Sequence, residues 1–351
     1  MTNPFRALHF SASRADALIG QVQAALGNGA WQFNTAIMLV DEACGQALID
    51  RIADWLQQEL GSAAVLPLPV LGREGSQAHI QLLLSNQEVP PKAYGPLNDW
   101  SFDAVSSAMG QPMPGVCLAS IDPRTPFLPE RLQLMQEGSG GYLCGAISAP
   151  SGVYMGPRGL HFPACSVASS HLFAGVERLK GDHRITAAEG QVIHQIDGRP
   201  ALEVLKEVAG DVLARKPEQI AKFLCAAFPV SEADPGDFLV RALNGMGAQS
   251  GTISVEDVVL PGMPLAFARR NGIHARAVLE TGVPQALARF GQRPAGALYL
   301  YDQRRSDDFD GGEGALVQAL LADTPLIKGQ VGGLISHNRH YTFASQLVLF
   351  G

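Results

Sequence analysis

Residues 192–214 read VIHQIDGRPALEVLKEVAGDVLA, and this stretch decides how the rest of the chain is interpreted. Residues 192–196 have the composition of a short strand, and Asp197 and Gly198 predict a tight turn after it. Pro200 stands where the first residue of a helix is expected. Apolar residues then recur on one helical face: Ala201, Leu205, Val208 and Val212. A strand, a turn and a helix in direct succession predict a chain that mixes both kinds of element.

Working outward from this stretch, strands and helices alternate in both directions. The predicted strands are 36–41, 64–66, 78–84, 116–121, 238–243, 252–258, 265–269, 297–301, 326–331 and 341–350. The predicted helices are 44–60, 128–136, 201–212, 217–228, one that ends near 290, and 313–321. Residues 90–114 are predicted to be mostly loop with one short helix, and no short-period repeat is apparent. The predicted class is α/β (mixed α+β), with mixed sheets flanked by helices.

Composition limits the class of protein. The chain has 351 residues, a length that suits two domains, and 46% of them are hydrophobic. The net charge is -7 and no basic stripe is present, which argues against nucleic acid as a partner. No stretch reaches the roughly 18 apolar residues of a membrane span, and the first residues do not resemble a secretory signal. Five cysteines without a C-x-x-C pair predict thiols that are mostly buried and inert, no zinc site, and a reducing, cytoplasmic setting.

Three motifs that are typical of common enzyme classes are absent from the sequence. It contains no G-x-S-x-G elbow, no phosphate-binding P-loop and no H-E-x-x-H helix. A hydrolase or lyase that uses serine, histidine and arginine from loops stays an alternative, with no catalytic residue assigned. Haem is a second alternative, because a single histidine can hold the iron. The histidines considered for that role are His161, His171, His183 and His194.

Two polar clusters are candidates for ligand contact. The chain closes on GGLISHNRHYTFASQLVLFG (332–351), in which a glycine turn allows close approach of a ligand and polar side chains follow. The candidates here are Gly332, Gly333, Ser336, His337, Arg339 and His340. Asp302, Arg304 and Arg305 follow a predicted strand directly, and the two arginines suit a carboxylate or another anion. H-x-x-H spacing without a nearby carboxylate does not by itself predict a metal site.

Several segments, in this order, resemble the FIST proteins, which are bacterial cytoplasmic sensory modules with an N-terminal and a C-terminal half. They are GGYLCGAISAPSG, ITAAEGQVIHQIDGRPALEVL, GTISVEDVVLPGMPLAFARR, PAGALYLYDQRR and TPLIKGQVGGLISHNRHYTFASQLVLF. The resemblance implies FIST-like halves at residues 1–195 and 196–351, and it adds Gly141 and Ser148 to the ligand-binding candidates. It also implies a small-molecule ligand, an amino acid or small anion. The signal would pass to a partner such as a histidine kinase or chemoreceptor-type protein, and some members are similar to haem-based nitric oxide sensors.

The chain departs from the FIST pattern at two places. Asp302, Gln303, Arg304 and Arg305 stand where members often carry a cysteine and glycines. The final turn lacks the usual glutamate, which would pair with a ligand's ammonium group. Both departures favour an anionic ligand over an amino acid.

Overall fold

The computed structural model describes residues 4–13, 15–26, 32–59, 64–72, 78–97, 101–109, 112–149, 156–214, 217–231, 234–309 and 312–351. The chain forms two compact units. The first comprises Met1–Phe173, Leu279–Ser306 and Asp310–Gly351, and the second comprises Ala174–Val278 and Asp307–Phe309. The predicted mixed α+β class is confirmed. The predicted division into FIST-like halves at 195/196 stays a prediction, since it concerns family boundaries and the compact units follow spatial contacts.

The first unit opens with a βαβαββ segment, here called the first repeat. Its elements are β1 (Phe5–Ala12), α1 (Ala15–Leu26), β2 (Thr35–Asp41), α2 (Gln46–Glu59), β3 (Ala64–Val70) and β4 (Ala78–Ser85). The sheet order is β1-β4-β2-β3, in which β2 and β3 are parallel and the other neighbours are antiparallel. Every residue of β2 is buried. The helices cover one face of the sheet through a core that includes Leu18, Ile49 and Leu56, and Ile37 and Leu39 are buried on the opposite face. The apolar run of β2 therefore forms the expected buried strand.

The second repeat has the same order of elements. They are β5 (Lys92–Tyr94), α3 (Phe102–Met109), β6 (Gly115–Ile121), α4 (Leu128–Ser139), β7 (Tyr142–Ile147) and β8 (Arg158–Pro163). The strands are ordered β5-β8-β6-β7, and again only the second and third strands of the repeat, β6 and β7, are parallel. The topology of the first repeat is thus reproduced strand for strand.

After β9 (Ala168–Ala174) the chain forms the second unit. Its elements are β10 (Val176–Arg178), β11 (His183–Glu189), β12 (Val192–Ile196), β13 (Arg199–Pro200), α5 (Ala201–Ala214), α6 (Pro217–Phe223), β14 (Leu224–Ser231), β15 (Asp234–Gly247), β16 (Thr252–Val255) and β17 (Pro264–Arg270). Strands β17, β11, β12, β16, β15 and β14 pair in that order, and β14 pairs back to β17. The six strands therefore close into a ring without a free edge. Asp197 and Gly198 both have positive φ in the predicted turn, whereas Pro200 ends β13 and the helix begins one residue later.

The third repeat is completed after the second unit. Its remaining elements are α7 (Gly272–Phe290), β18 (Gly296–Asp302), α8 (Glu313–Leu321), β19 (Leu326–Val331) and β22 (Ala344–Phe350), with the hairpin β20 (Gly333–Ser336) and β21 (Arg339–Tyr341) before β22. The sheet order is β9-β22-β18-β19, the third occurrence of one topology. The hairpin joins another sheet, since β20 pairs with β7 of the second repeat. The predicted single strand 341–350 is therefore wrong at its start: the chain breaks at Phe343, whose φ is 54°.

The three repeats meet through a closed circle of backbone hydrogen bonds, here called the strand-end ring. The N–H of Leu71 donates to Gln330 O at 2.8 Å, that of Ala149 to Pro69 O at 3.0 Å, and that of Gly332 to Ile147 O at 3.0 Å. In each case the donor lies just beyond the third strand of one repeat, and the acceptor lies in the third strand of the next. The first unit thus has an approximate threefold arrangement of one supersecondary motif.

Among the described residues, no helix has both the length and the apolar character needed to cross a membrane.

Candidate functional site

A cavity of about 280 Å³ lies beside the strand-end ring, where the first and third repeats meet. Both repeats contribute strand ends to its wall, and the third repeat also contributes the start of α8. The lining residues are Leu39, Asp41, Val70, Leu71, Gly72, His79, Gln81, Tyr301, Gly314, Ala315, Lys328, Gly329 and Gln330. A wall that combines apolar side chains with a few charged and amide groups is typical of small-ligand sites.

Asp41 ends β2 and brings a carboxylate to the cavity. Its Oδ1 accepts the N–H of Ala43 at 2.9 Å and so caps a short 3-10 turn that follows the strand. Only 4% of the residue is exposed. The strand therefore delivers a nearly buried acidic group to the cavity at a position fixed by the backbone.

Lys328 supplies a positive charge from β19. Its Nζ donates to Gly314 O at 3.0 Å, at the start of α8. The backbone of Lys328 is held by the Gln81 side chain, which donates to Lys328 O at 2.7 Å and accepts Lys328 N–H at 3.0 Å. Burial and the charge of Lys328 together lower the pKa of His9. The cavity wall is thus electropositive on the β19 side. The two hydrogen bonds of the Gln81 side chain, here called the amide clasp, join β19 to β4.

Two tyrosines of β18 fix the wall next to α8. The ring of Tyr301 stacks on that of Tyr299 with centroids 5.9 Å apart. The hydroxyl of Tyr299 donates to Glu313 Oε1 at 2.6 Å, and burial and the Glu313 charge raise the Tyr299 pKa well above its ordinary value. Tyr299 therefore stays a neutral hydrogen-bond donor, and it anchors the first residue of α8 beside the cavity.

Four of the residues singled out from sequence come together at the strand-end ring. Arg304 donates through Nη1 to Asp302 Oδ2 at 3.3 Å and to Gly332 O at 3.2 Å. Asp302 is fully buried and also accepts the N–H of Phe343 at 3.0 Å. Burial raises the pKa of Asp302, although Arg304 and the backbone donors oppose that rise. Ser148 lies against Gly332, and its hydroxyl donates to Ile121 O at 3.2 Å.

The Arg305 side chain lies in the protein interior, so it is not available at the surface of a ligand site. Its Nη2 lies 2.8 Å from Glu313 Oε1, and its side chain is fully buried. A second bond runs from Nη1 to Phe343 O at 3.4 Å. The role that the structure assigns to this arginine is to join α8 to the segment before β22.

The closing polar cluster lies in the β20–β21 hairpin, on the edge of the second repeat's sheet. Ser336 is buried and its hydroxyl lies 2.6 Å from that of Tyr142, whose ring meets His337 edge-on at 4.5 Å. His337 occupies the hairpin turn with φ 57°, a conformation in which histidine is enriched. Ser336 pairs with Arg339 in the hairpin, and Ile335 pairs with His340.

Two of the three predicted glycines, Gly333 and Gly141, have different surroundings. A Cβ on Gly333 would lie 2.1 Å from His340 Nε2, so a larger residue there would force the His340 ring to move. Gly141 precedes β7 whereas Ser148 follows it, so the strand's length of about 20 Å separates them. Gly141 is therefore distant from Ser148 and the strand-end ring, and it lies next to Tyr142 at the end of β7 that meets Ser336.

Sequence reasoning missed Asp41 and Lys328. A usable signal was the recurrence of an aspartate at the end of a buried strand or directly after it, in LVDEA, SIDPR and LYDQR, residues 39–43, 120–124 and 300–304. Their aspartates each accept the N–H two residues later, at 2.9, 2.9 and 2.7 Å. Within the described part of the chain, no group of three or more histidine, cysteine or acidic residues could hold a metal ion.

The chain is similar in sequence to proteins that are described as uncharacterized. Uncharacterized proteins of Mycobacterium tuberculosis and Mycobacterium bovis are 29% identical over 177 residues, 47% of this chain. The chain spans about half the length of these relatives, since the match covers 46% of each. Among solved structures, cyanuric acid hydrolase from A. caulinodans aligns over 98% of both chains with 11% identity and a TM-score of 0.35. No protein-family model matches the chain.

Proposed function

We propose that the chain is a cytoplasmic small-ligand-binding protein of the sensory kind, with its ligand in the cavity between the first and third repeats. The observation that carries the proposal is the cavity itself. It has a volume of about 280 Å³ and carries charged groups from both repeats on a wall that mixes apolar and polar side chains. Few convergent polar groups on such a wall are what fix a small ligand's orientation.

Lys328 favours a ligand with an anionic group, such as a small carboxylate or an amino acid. The ammonium group donates to Gly314 O, which holds it at the cavity wall, and an ammonium group can donate several hydrogen bonds at once. The amide clasp of Gln81 keeps the Lys328 backbone in place. A ligand carboxylate would therefore meet a positioned cation rather than a mobile one.

The position of the cavity suits a sensor. A ligand there would touch β2–β4 of one repeat and β18–β19 of another, so it would stabilise the arrangement in which these repeats are joined. We propose that a partner protein, such as a histidine kinase or chemoreceptor-type protein, reads this stabilisation. The FIST-like segments support this part of the proposal.

The test is a thermal-shift screen of the full chain against amino acids, small carboxylates, phosphate and haem, followed by calorimetry on every hit. At a hundred times the dissociation constant, a ligand adds about 2.7 kcal/mol, a shift of a few degrees. We expect a carboxylate hit that Lys328→Met weakens by about tenfold or more, while the exposed Lys180→Met leaves it unchanged. A hit that ignores Lys328→Met overturns the assigned cavity. No hit at all, or a haem Soret band with no other hit, overturns the carboxylate sensor.

A further inference from the structure

The three repeats carry a buried aspartate at one equivalent position, the point where the second strand ends. Asp41, Asp122 and Asp302 are 4%, 2% and 0% exposed. Each caps the following turn through the N–H two residues later, as described above. The position is therefore a shared structural feature, and its surroundings in the three repeats can be compared directly.

In two of the repeats an arginine two residues later neutralises this carboxylate. Arg124 donates to Asp122 Oδ1 through Nε at 2.8 Å and to Oδ2 through Nη2 at 2.6 Å. Arg304 donates to Asp302 Oδ2 at 3.3 Å. In the first repeat the same position is Ala43, which is exposed and brings no charge.

Asp41 consequently presents its carboxylate to the cavity. Its one hydrogen bond among the described residues is the one from Ala43 N–H, and within that part of the chain it forms no ion pair. Gly72 keeps the space in front of it open, because a Cβ there would lie 2.5 Å from Oδ1 and 2.7 Å from Oδ2. A buried carboxylate without a partner cation costs free energy, so such a group is expected to receive one.

We propose that Asp41 is a cation subsite of the cavity, in which a ligand's guanidinium or ammonium group takes the place that arginine fills in the other two repeats. The paired oxygens suit a planar guanidinium best, since Arg124 engages the equivalent carboxylate through two nitrogens. This inference rests on the proposed function, because it assigns one part of the same cavity. With Lys328 at the other part, the cavity would select ligands that carry both a cationic and an anionic group.

The test uses methylguanidinium and its uncharged counterpart methylurea as probes, titrated into the full chain and followed by protein NMR. We expect methylguanidinium to bind at least about tenfold more tightly than methylurea. Asp41→Asn removes the charge and abolishes this difference. Ala43→Arg supplies the missing arginine from within the chain and blocks the probe, whereas Ala24→Arg, at an exposed position of α1, leaves binding unchanged.

Thermal melting of each variant shows whether it is folded. If Ala43→Arg does not fold, Asp41→Asn still decides the test. Equal binding of the two probes, or methylguanidinium binding that survives Asp41→Asn, overturns the subsite. These results are separable from the carboxylate screen. Carboxylate binding that needs Lys328, without guanidinium binding, leaves the proposed function standing and removes only the subsite. Guanidinium binding without any carboxylate hit leaves the subsite standing and removes the proposed carboxylate sensor.

Discussion

Arg305 and Glu313 form an ion pair inside the first unit, with Nη2 2.8 Å from Oε1 and side chains 0% and 3% exposed. Tyr299 donates to the same carboxylate oxygen, so one buried charge is shared by a cation and a phenol. The pair holds the start of α8, which forms part of the cavity wall. Its removal should therefore affect stability and the cavity together.

Arg305→Met should lower the free energy of unfolding by about 3–5 kcal/mol, because it leaves the Glu313 carboxylate buried without its cation. The double variant Arg305→Met/Glu313→Gln should recover much of that loss, since a neutral amide still accepts from Tyr299. Urea denaturation measures the free energy of unfolding of both variants. A single variant that loses less than about 1 kcal/mol, or a double variant less stable than the single one, would contradict this account.

Gly329→Ala should destabilise the fold by about 1–3 kcal/mol through overpacking. A Cβ at Gly329 would lie 2.5 Å from Val70 Cγ1 and 3.3 Å from Leu39 Cδ1, across the junction of two repeats. The matched control is Gly20→Ala at an exposed position of α1, where a Cβ would meet no atom within 4 Å, and this change should stabilise by up to about 1 kcal/mol. Equal effects of the two changes in urea denaturation would show that the junction is not closely packed.

Thiol labelling should find one reactive cysteine in the folded chain. Cys165 is exposed, whereas the other four cysteines are buried. Burial raises the pKa of Cys44 to about 11 and that of Cys117 to about 12, so their thiolates are scarce near neutral pH. A chromogenic disulfide reagent at pH 8 should release one equivalent quickly, and Cys165→Ser should abolish that fast phase. Two or more fast equivalents would contradict the described burial.

Stability should fall as the pH drops below about 6.5, partly because of His161. This residue is 1% exposed, and burial, the largest influence, lowers its pKa below the ordinary 6.5. Between the lowered pKa and 6.5 the unfolded chain binds more protons than the folded one, so stability rises with pH across that window. Unfolding by urea at several pH values should show a shallower slope for His161→Gln, while the exposed His194→Gln should keep the parent slope. An unchanged slope in His161→Gln would contradict the prediction.

Local sequence patterns determined the class and most element positions. The predicted helix 313–321 and strand 326–331 coincide with α8 and β19, and the predicted strand 36–41 lies within β2. These elements follow from short-range causes: the spacing of apolar residues sets the period, and glycine or proline ends the run. The closing strand was placed too early because the left-handed φ of Phe343 has no sequence signal of its own.

Tertiary structure alone decided the threefold arrangement. Strand pairing is non-local, and the repeats share a topology with little more in common by sequence than an aspartate after the second strand. The third repeat is also divided by the whole second unit, so its β9 lies more than a hundred residues before β18. Position along the chain therefore conceals which strands belong to one sheet.

The candidate site shows the same division between local and tertiary information. Asp302 and Arg304 could be recognised from sequence, because polar residues directly after a buried strand stand out locally, and the fold brings them to the strand-end ring. Asp41 and Lys328 are 287 positions apart and become neighbours in one cavity only when the first and third repeats meet. Sequence determines the charge and strand position of each side chain. Which charges share a cavity depends on how the sheets pack, and that is decided by backbone hydrogen bonds and side-chain shape summed over the whole unit.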